Sequence, residues 1–502
     1  MKSRCLRTFR LAMIGVSIAA GACFEASARG DGGESWDAVY IKGVKVGYTH
    51  LFVTPLKNEG RDLLRIQFEQ VMALRRDHDQ STTKIRYGTI ETPTGEVLRL
   101  DTLLSIGKEV IRVHGDVIDG RMNLILESNG RKQEQSVDWS PEVRGPYAVE
   151  LSLARTPIKP GETRSLKAFV PILNKIVTLE VYARDLESVT LGDGEIKKLL
   201  RVDTEGKNAD GTRFRQLDAT FWVDSGGQIL KSYTDEEGGM TMYRTTAAAA
   251  KALPKPSERL NIIATSILKV APIEDSIKTR DIVYEVTVRG EDPAKLFPSD
   301  FRQTVVSAGD GKTATIHVKS TGPDDGDPGP EKVDSKYIKA NPLIDSSNLL
   351  VRRYARTAIG IRNDPWDQAQ AIERWVSDNI KDKNFETAFA SASEVARDLS
   401  GDCTEHSVLA AAMSRSVGIP SRVACGLVYS PEQKGFGFHM WHEVYVNQRW
   451  VALDSTYNQT SVDATHIKLF ESDLAGVSPF EAFLPVAAVF DKATLKVVEI
   501  RR

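Results

Sequence analysis

The residues of this chain whose types and spacing can do chemistry lie between Gly401 and Thr456. The stretch reads GDCTEHSVLAAAMSRSVGIPSRVACGLVYS and, after a short loop, FHMWHEVYVNQRWVALDST. Cys403 follows Gly401-Asp402 and opens an apolar run of helical period that stops at Gly418-Ile419-Pro420, a glycine with a proline behind it. Unpaired amides and the dipole at a helix start stabilise a thiolate, and the same amides can donate to a developing oxyanion. A histidine-bearing strand and an aspartate ending the next strand complete the layout of a thiol nucleophile, a base and an orienting carboxylate.

The base is His439 or His442. If Asn447-Gln448 is a two-residue hairpin turn, Val446 faces Arg449 and Trp441 faces Asp454. Side chains alternate along a strand, so His439 and Trp441 then share a face with Asp454, and His439 is its diagonal neighbour. His442 points the other way. The argument selects His439 as base and Asp454 as the residue that orients it; a loop of odd length would reverse the choice. Glu443 shares the face and is expected to pair with Arg422 or another base.

Cys403-x-x-His406 with His439-x-x-His442 has the look of a zinc site. Strand residues three apart face opposite ways, so the two strand histidines cannot grip one ion without a bulge. The reading therefore assigns no metal and no cofactor, and expects His406 to bond a nearby carbonyl or Glu405.

The elements that must position these residues are an α+β domain over residues 336–475. Leu349–Ile359 is a short helix. Asp364 caps the next, with Pro365 at its first position and Ala369, Ile372, Trp375, Val376 and Ile380 on one face. Ser391 with Glu394 is a capping box before a third helix. Strands follow at 421–429, 438–446 and 449–454. Upstream, residues 35–250 alternate apolar and polar positions between turn signals such as Lys42-Gly43, Asp119-Gly120 and Asp210-Gly211. That predicts an all-β antiparallel region, as one large sheet, a half-barrel or a sandwich. Residues 258–320 predict a small β-rich module, with strands at Ile282–Val288 and Thr313–Val318. The stretch 321–335, which includes GPDDGDPGP, reads as a linker, and 476–502 as a β extension with edge strands at Ala488–Phe490 and Thr494–Ile500.

At 502 residues the chain is multidomain. Its net charge of −2, without a basic block, gives nucleic-acid binding no support. Lys2, Arg4, Arg7 and Arg10 precede a short apolar run, Leu11–Ala22, and Ala26-Ser27-Ala28 is a small-x-small cleavage site. Residues 1–28 are thus expected to be a signal peptide, and the chain to be exported to the periplasm, the cell envelope or the medium. A lipid anchor at Cys23 is the second reading of the same segment. No other run is long enough for a membrane helix. Processing leaves two of the four cysteines, Cys403 and Cys425. So few in an exported chain do not make a disulfide scaffold, and the choice is a reactive thiol at Cys403, a Cys403–Cys425 bridge or two buried thiols.

Gly401-Asp402-Cys403, Gly418-Ile419-Pro420-Ser421-Arg422, Gly426–Tyr429, His439-Met440-Trp441-His442-Glu443-Val444 and Trp450–Thr456 resemble, in order and spacing, the pattern of the transglutaminase-like superfamily. The resemblance covers about residues 336–475. It implies a papain-like fold and a Cys-His-Asp triad, which carries over to Cys403, His439 and Asp454. It also implies acyl transfer on a peptide or protein substrate: a thioester forms at the cysteine and yields to water, as in a cysteine peptidase or amidase, or to an amine, as in a protein-glutamine γ-glutamyltransferase. Met440 stands where a small residue is commoner. The alternative is a catalytically silent envelope binding or scaffold protein that keeps a relic of the domain.

Overall fold

The structure, a computed structural model, describes residues 33–501 apart from 77–78, 107–108, 129–130, 172, 236–238, 262–266, 327–328, 330–331, 382–389, 476–485, 487–488 and 490–491. The expected signal peptide, Cys23, most of Ala488–Phe490 and part of the expected 321–335 linker lie outside the described residues. Two compact units are present, within Leu11–Ile262 and within Ile263–Arg502.

The first unit is one antiparallel sheet of fourteen strands. Eight strands, from Gly33–Ile41 to Arg131–Asp138, run outward as consecutive hairpins. Six more, from Thr163–Val170 to Met240–Thr245, run back until the last pairs with the first, Trp36 facing Thr245. The sharp corners are made where the sequence signals them. Lys42 and Gly43 (φ 50° and 78°) and Asp119 and Gly120 (φ 50° and 72°) both take the left-handed conformation that a two-residue turn between twisted strands needs. The sheet is rolled on itself, because Phe169 of one edge strand packs with Leu100, Val113, Met122 and Trp139 from the other half, and Asn174 Nδ2 donates to Gln135 Oε1 across the ends (3.3 Å).

Two short helices, Ala148–Arg155 and Ala247–Lys251, belong to the first unit; the helices that frame the site belong to the second. They are α1 (Leu349–Ile359), α2 (Pro365–Asn379), α3 (Ala392–Asp398) and α4 (Cys403–Ser416), followed by strands β1 (Ser421–Ser430), β2 (Gly435–Val446), β3 (Arg449–Leu453) and β4 (His466–Ser472). The caps are those the sequence encodes: Asp364 Oδ1 accepts the amides of Trp366 and Asp367 (2.9 Å each), and the Ser391–Glu394 box closes on itself. The sheet order is Leu268–Lys269, β2, β1, β4, with β3 also on β2. Ala369 of α2 packs against Val444, Val446, Val451 and Leu453. Almost every residue of α4, β1 and β2 is buried.

A smaller four-stranded sheet belongs to the same unit: Gln303–Ser307, Thr313–Lys319, Asp281–Val288 and Ala493–Arg501, in that order. The upstream module and the C-terminal strand therefore belong to one sheet, three strands from the first and one from the second. It is tied to the helical part by Arg302, whose guanidinium donates to the carbonyls of His466 (2.8 Å) and Asp463 (2.9 Å), and by Gln303, which brackets Lys468. The glycine-rich stretch after it is docked where described: Asn447 donates to Asp324 (2.9 Å) and Arg449 to the Gly326 carbonyl (3.1 Å). No helix among the described residues is long and apolar enough to cross a membrane.

Candidate active site

Cys403 is the first residue of α4, and Asp402 is its N-cap. The Asp402 Oδ1 accepts the Thr404 amide (2.8 Å), and the Asp402 amide donates to Glu405 Oε2 (2.9 Å), a reciprocal cap. Burial and the neighbouring Asp402 charge push the Glu405 carboxyl well above the ordinary range. Gly401 enters the helix at φ 140°, and a Cβ there would stand 2.4 Å from Glu405 Cβ. Glycine at 401 is thus what lets the buried Glu405 close over the turn before the thiol. His406 donates through Nδ1 to the Asp402 carbonyl (2.6 Å). It stiffens the cap and is not brought to the strand histidines in the role of a shared metal ligand.

Asn447 and Gln448 form the turn between β2 and β3, with φ of 49° and 61°. Val446 faces Arg449 and His442 faces Leu453, so alternation puts His439, Trp441 and Asp454 on one side and His442 on the other. His439 Nε2 donates to Asp454 Oδ2 at 2.7 Å, while Oδ1 accepts the Thr456 amide (2.9 Å). Cys403 lies near enough to the same histidine to act on its charge. Burial disfavours an imidazolium at His439, but the Asp454 carboxylate and then Cys403 outweigh it and hold the ring at about 10. Asp454 lies well below the carboxylate range: burial opposes its charge, and His439 and His466 overcome that. The three side chains are 1%, 0% and 0% exposed, and the half-buried Tyr457 ring packs on His439 with centroids 4.9 Å apart.

The remaining residues singled out by sequence sort themselves by contact. Cys425 and Cys403 are not bridged; burial and the nearby Cys403 push the Cys425 thiol far up. His442 is wholly buried, has no hydrogen-bond partner on either nitrogen among the described residues, and is lowered by burial to about 4. Glu443 pairs with Arg422 (2.8 Å), as expected, and also with the buried Lys468 (3.0 Å). Trp441 packs with Ala424, Ala452 and Val462, whereas Trp450 meets Tyr337 and Tyr445 edge-on and lies under the Arg422 guanidinium.

Two residues were not legible. His466, 12 positions beyond Asp454, donates through Nε2 to the same Asp454 Oδ2 (3.1 Å). Only a bulge where β1 meets β4 brings it there, between Cys425 and Gly426. A Cβ on Gly426 would stand 2.0 Å from the Ile467 carbonyl, so glycine is required for that approach. Glu373 of α2 lies on the apolar face, its carboxyl raised to about 8 by burial and then by the Asp454 charge. Its signal in sequence was a charge on the buried stripe of a helix. Ligand atoms of His439, Asp454 and His466 all lie within 4.8 Å of one another, close enough for a metal, but the contacts are already those of a hydrogen-bonded cluster.

Residues 352–455 match the model of the Transglutaminase-like superfamily, and this part of the chain is a transglutaminase-like domain. Among solved structures the chain is similar to a "Putative Cysteine Protease" from Cytophaga hutchinsonii, at 15% identity over 44% of this chain and 86% of that one, with a TM-score of 0.29. It is also similar to a "Beta-barrel-like Protein" of a domain of unknown function from Brucella abortus, at 13% identity over 42% and 96%, with a TM-score of 0.30. A third is a "putative protease" from Parabacteroides distasonis, at 11% identity over 71% and 69%, with a TM-score of 0.18. No curated protein matches the chain.

Proposed function

We propose that this chain is an exported thiol enzyme that cleaves or transfers amide bonds of peptides or proteins, with Cys403 as nucleophile, His439 as acid and base, and Asp454 as the group that orients His439. The observation that carries the reading is the buried pair His439 Nε2–Asp454 Oδ2 at 2.7 Å, with Cys403 at the start of α4 near enough to act on the charge of the same ring. Export rests on the basic and apolar pattern of residues 1–28.

In this reading the Cys403 thiolate attacks the amide carbonyl while His439 stands protonated beside it. Collapse of the tetrahedral adduct forms the thioester and breaks the C–N bond, and the His439 proton goes to the departing nitrogen. Neutral His439 then takes a proton from water or from an amine as that attacks the thioester, and Cys403 leaves as the thiolate. Asp454 keeps the ring turned and its Nε2 protonated throughout, so that Nδ1 serves the reaction.

The test needs no substrate. Iodoacetamide should label Cys403 rapidly below pH 7 in the wild type, and His439→Ala should abolish or shift that labelling to the range of an ordinary thiol. A wild type that labels slowly, with a profile unchanged by His439→Ala, overturns the enzyme reading and favours the binding or scaffold alternative. Dimethylcasein with a dansylated primary amine then separates the two acceptors: incorporated fluorescence marks the amine, and new amino termini mark water.

A further inference from the structure

We propose that His466 is a positioning residue of this site: held between Asp463 and Asp454, it fixes the Asp454 carboxylate and takes a share of its charge from His439. The inference rests on the acyl-transfer reading above and adds a residue outside the stretch 352–455 that carries the family match.

Asp454 Oδ2 accepts two imidazole donors, His439 Nε2 at 2.7 Å and His466 Nε2 at 3.1 Å. With Oδ1 on the Thr456 amide, neither oxygen can rotate away. The far nitrogen of His466, Nδ1, is 3.2 Å from Asp463 Oδ1. That oxygen already accepts the Thr465 amide (2.8 Å) and the Thr465 hydroxyl (2.5 Å), and the other accepts the Gln459 amide (2.8 Å). A carboxylate loaded with donors has no proton to give. Both His466 contacts are therefore hydrogen bonds only when both ring nitrogens carry protons, and in that form the ring is a cation between two anions.

The ring is also held from behind. Arg302 of the small sheet grips the backbone carbonyls on both sides of the motif, at Asp463 and His466, and Trp441 meets the ring edge-on at 5.4 Å. The other titratable groups packed around the cluster come from each neighbouring element. Cys403 of α4 faces His439. Glu373 of α2 and His442 of β2 both feel Asp454, and burial keeps each neutral near pH 7. Tyr457 lies 6.5 Å from the ring. Tyr284 of the small sheet feels Asp463 while its hydroxyl donates to the Ala464 carbonyl (2.9 Å). Within this set His466 is what divides the Asp454 charge. An undivided Asp454 would hold the His439 proton more tightly, which weakens His439 as the acid for the leaving nitrogen and delays its return as a base.

The test is the pH profile of Cys403 alkylation by iodoacetate, whose anionic attack falls when His439 loses its proton. His466→Gln keeps an N–H donor without the charge; its upper limb should move to higher pH by about 1 unit with the plateau retained. Asp463→Asn should move it the same way by less. His466→Phe, which removes donor and charge, should lower the plateau several-fold. A His466→Gln profile that superimposes on a rapid wild-type profile overturns the inference and leaves the enzyme reading intact. Slow wild-type labelling that ignores His439→Ala sinks the enzyme reading instead. Histidine ¹⁵N spectra of the wild type decide the inference whichever variant folds or labels: both His466 nitrogens protonated at pH 7 supports it, and a single N–H tautomer overturns it. Stoichiometric zinc in the purified wild type, lost in His466→Gln, overturns it too, by making His439, Asp454 and His466 ligands.

Discussion

His439 and Asp454 meet, Nε2 to Oδ2 at 2.7 Å, because a turn of two residues joins their strands. Asn447 and Gln448 set the parity of the hairpin, and parity decides which of two histidines faces the carboxylate. His442, three residues on, faces Leu453 instead. His439→Ala should therefore abolish the fast alkylation of Cys403, while His442→Phe should leave it within a few-fold of wild type. Loss of fast labelling in a folded His442→Phe, with His439→Ala unaffected, would reverse the assignment of the base.

The ion pair sets a pH window. His439 is raised to about 10 from an ordinary 6.5, so its charged form adds stability that is complete below about pH 6.5 and is lost as pH rises toward 10. Alkylation of the wild type by iodoacetate should hold a plateau through neutral pH and fall only near pH 10. In Asp454→Asn that fall should come at least one unit lower, and the stability advantage of wild type over this variant should shrink as pH rises from about 6.5 to 10. An upper limb near 6.5 in the wild type would show that Asp454 does not support the imidazolium.

Glu373 runs the opposite way. Its carboxyl is raised to about 8, so the unfolded chain ionises first and stability falls as pH rises from about 4.5 to 8. Neither of its oxygens has a hydrogen-bond partner among the described residues. Glu373→Gln should match wild type near pH 4 and exceed it near pH 8 by on the order of 2 kcal/mol. Denaturant melts at the two pH values give the comparison, and a difference that does not change with pH would count against the buried, neutral carboxyl.

The Arg422–Glu443–Lys468 cluster is a separate liability. Lys468 is 1% exposed and touches Glu443, Glu471 and Asp300. Burial works against the Glu443 charge, but Lys468 and Arg422 hold it at about 2. Glu443→Ala should cost about 3 kcal/mol at pH 7, since it leaves the buried Lys468 and Arg422 with only the more exposed Glu471 and Asp300 as partners, and thermal unfolding would show it. The contribution of Glu443 is present above about pH 4.5 and fades as pH falls toward 2, so the deficit of the variant should narrow in acid.

What was legible in the sequence was local. Asp364 and Ser391 name their helices, Gly401-Asp402 names the start of α4, and Lys42-Gly43 names a turn, because each rule acts within four residues. The all-β region and the α+β domain after it follow from period alone. The site was legible as far as a hairpin reaches, from His439 across Asn447-Gln448 to Asp454. His466 was not, since its approach depends on a bulge between β1 and β4 and on Gly426 leaving room for Ile467. Nor was the joining of Asp281–Val288 to Ala493–Arg501, which no local pattern encodes.

That last pairing has a consequence for how the site comes into being. The small sheet that clamps Asp463 and His466 through Arg302 is completed by a strand about 200 residues downstream of its partner. Until that strand arrives, Asp281–Val288 has one bare edge. The thiol and its helix draw on neighbours in the chain, while the clamp behind Asp454 depends on a closure over about 200 residues.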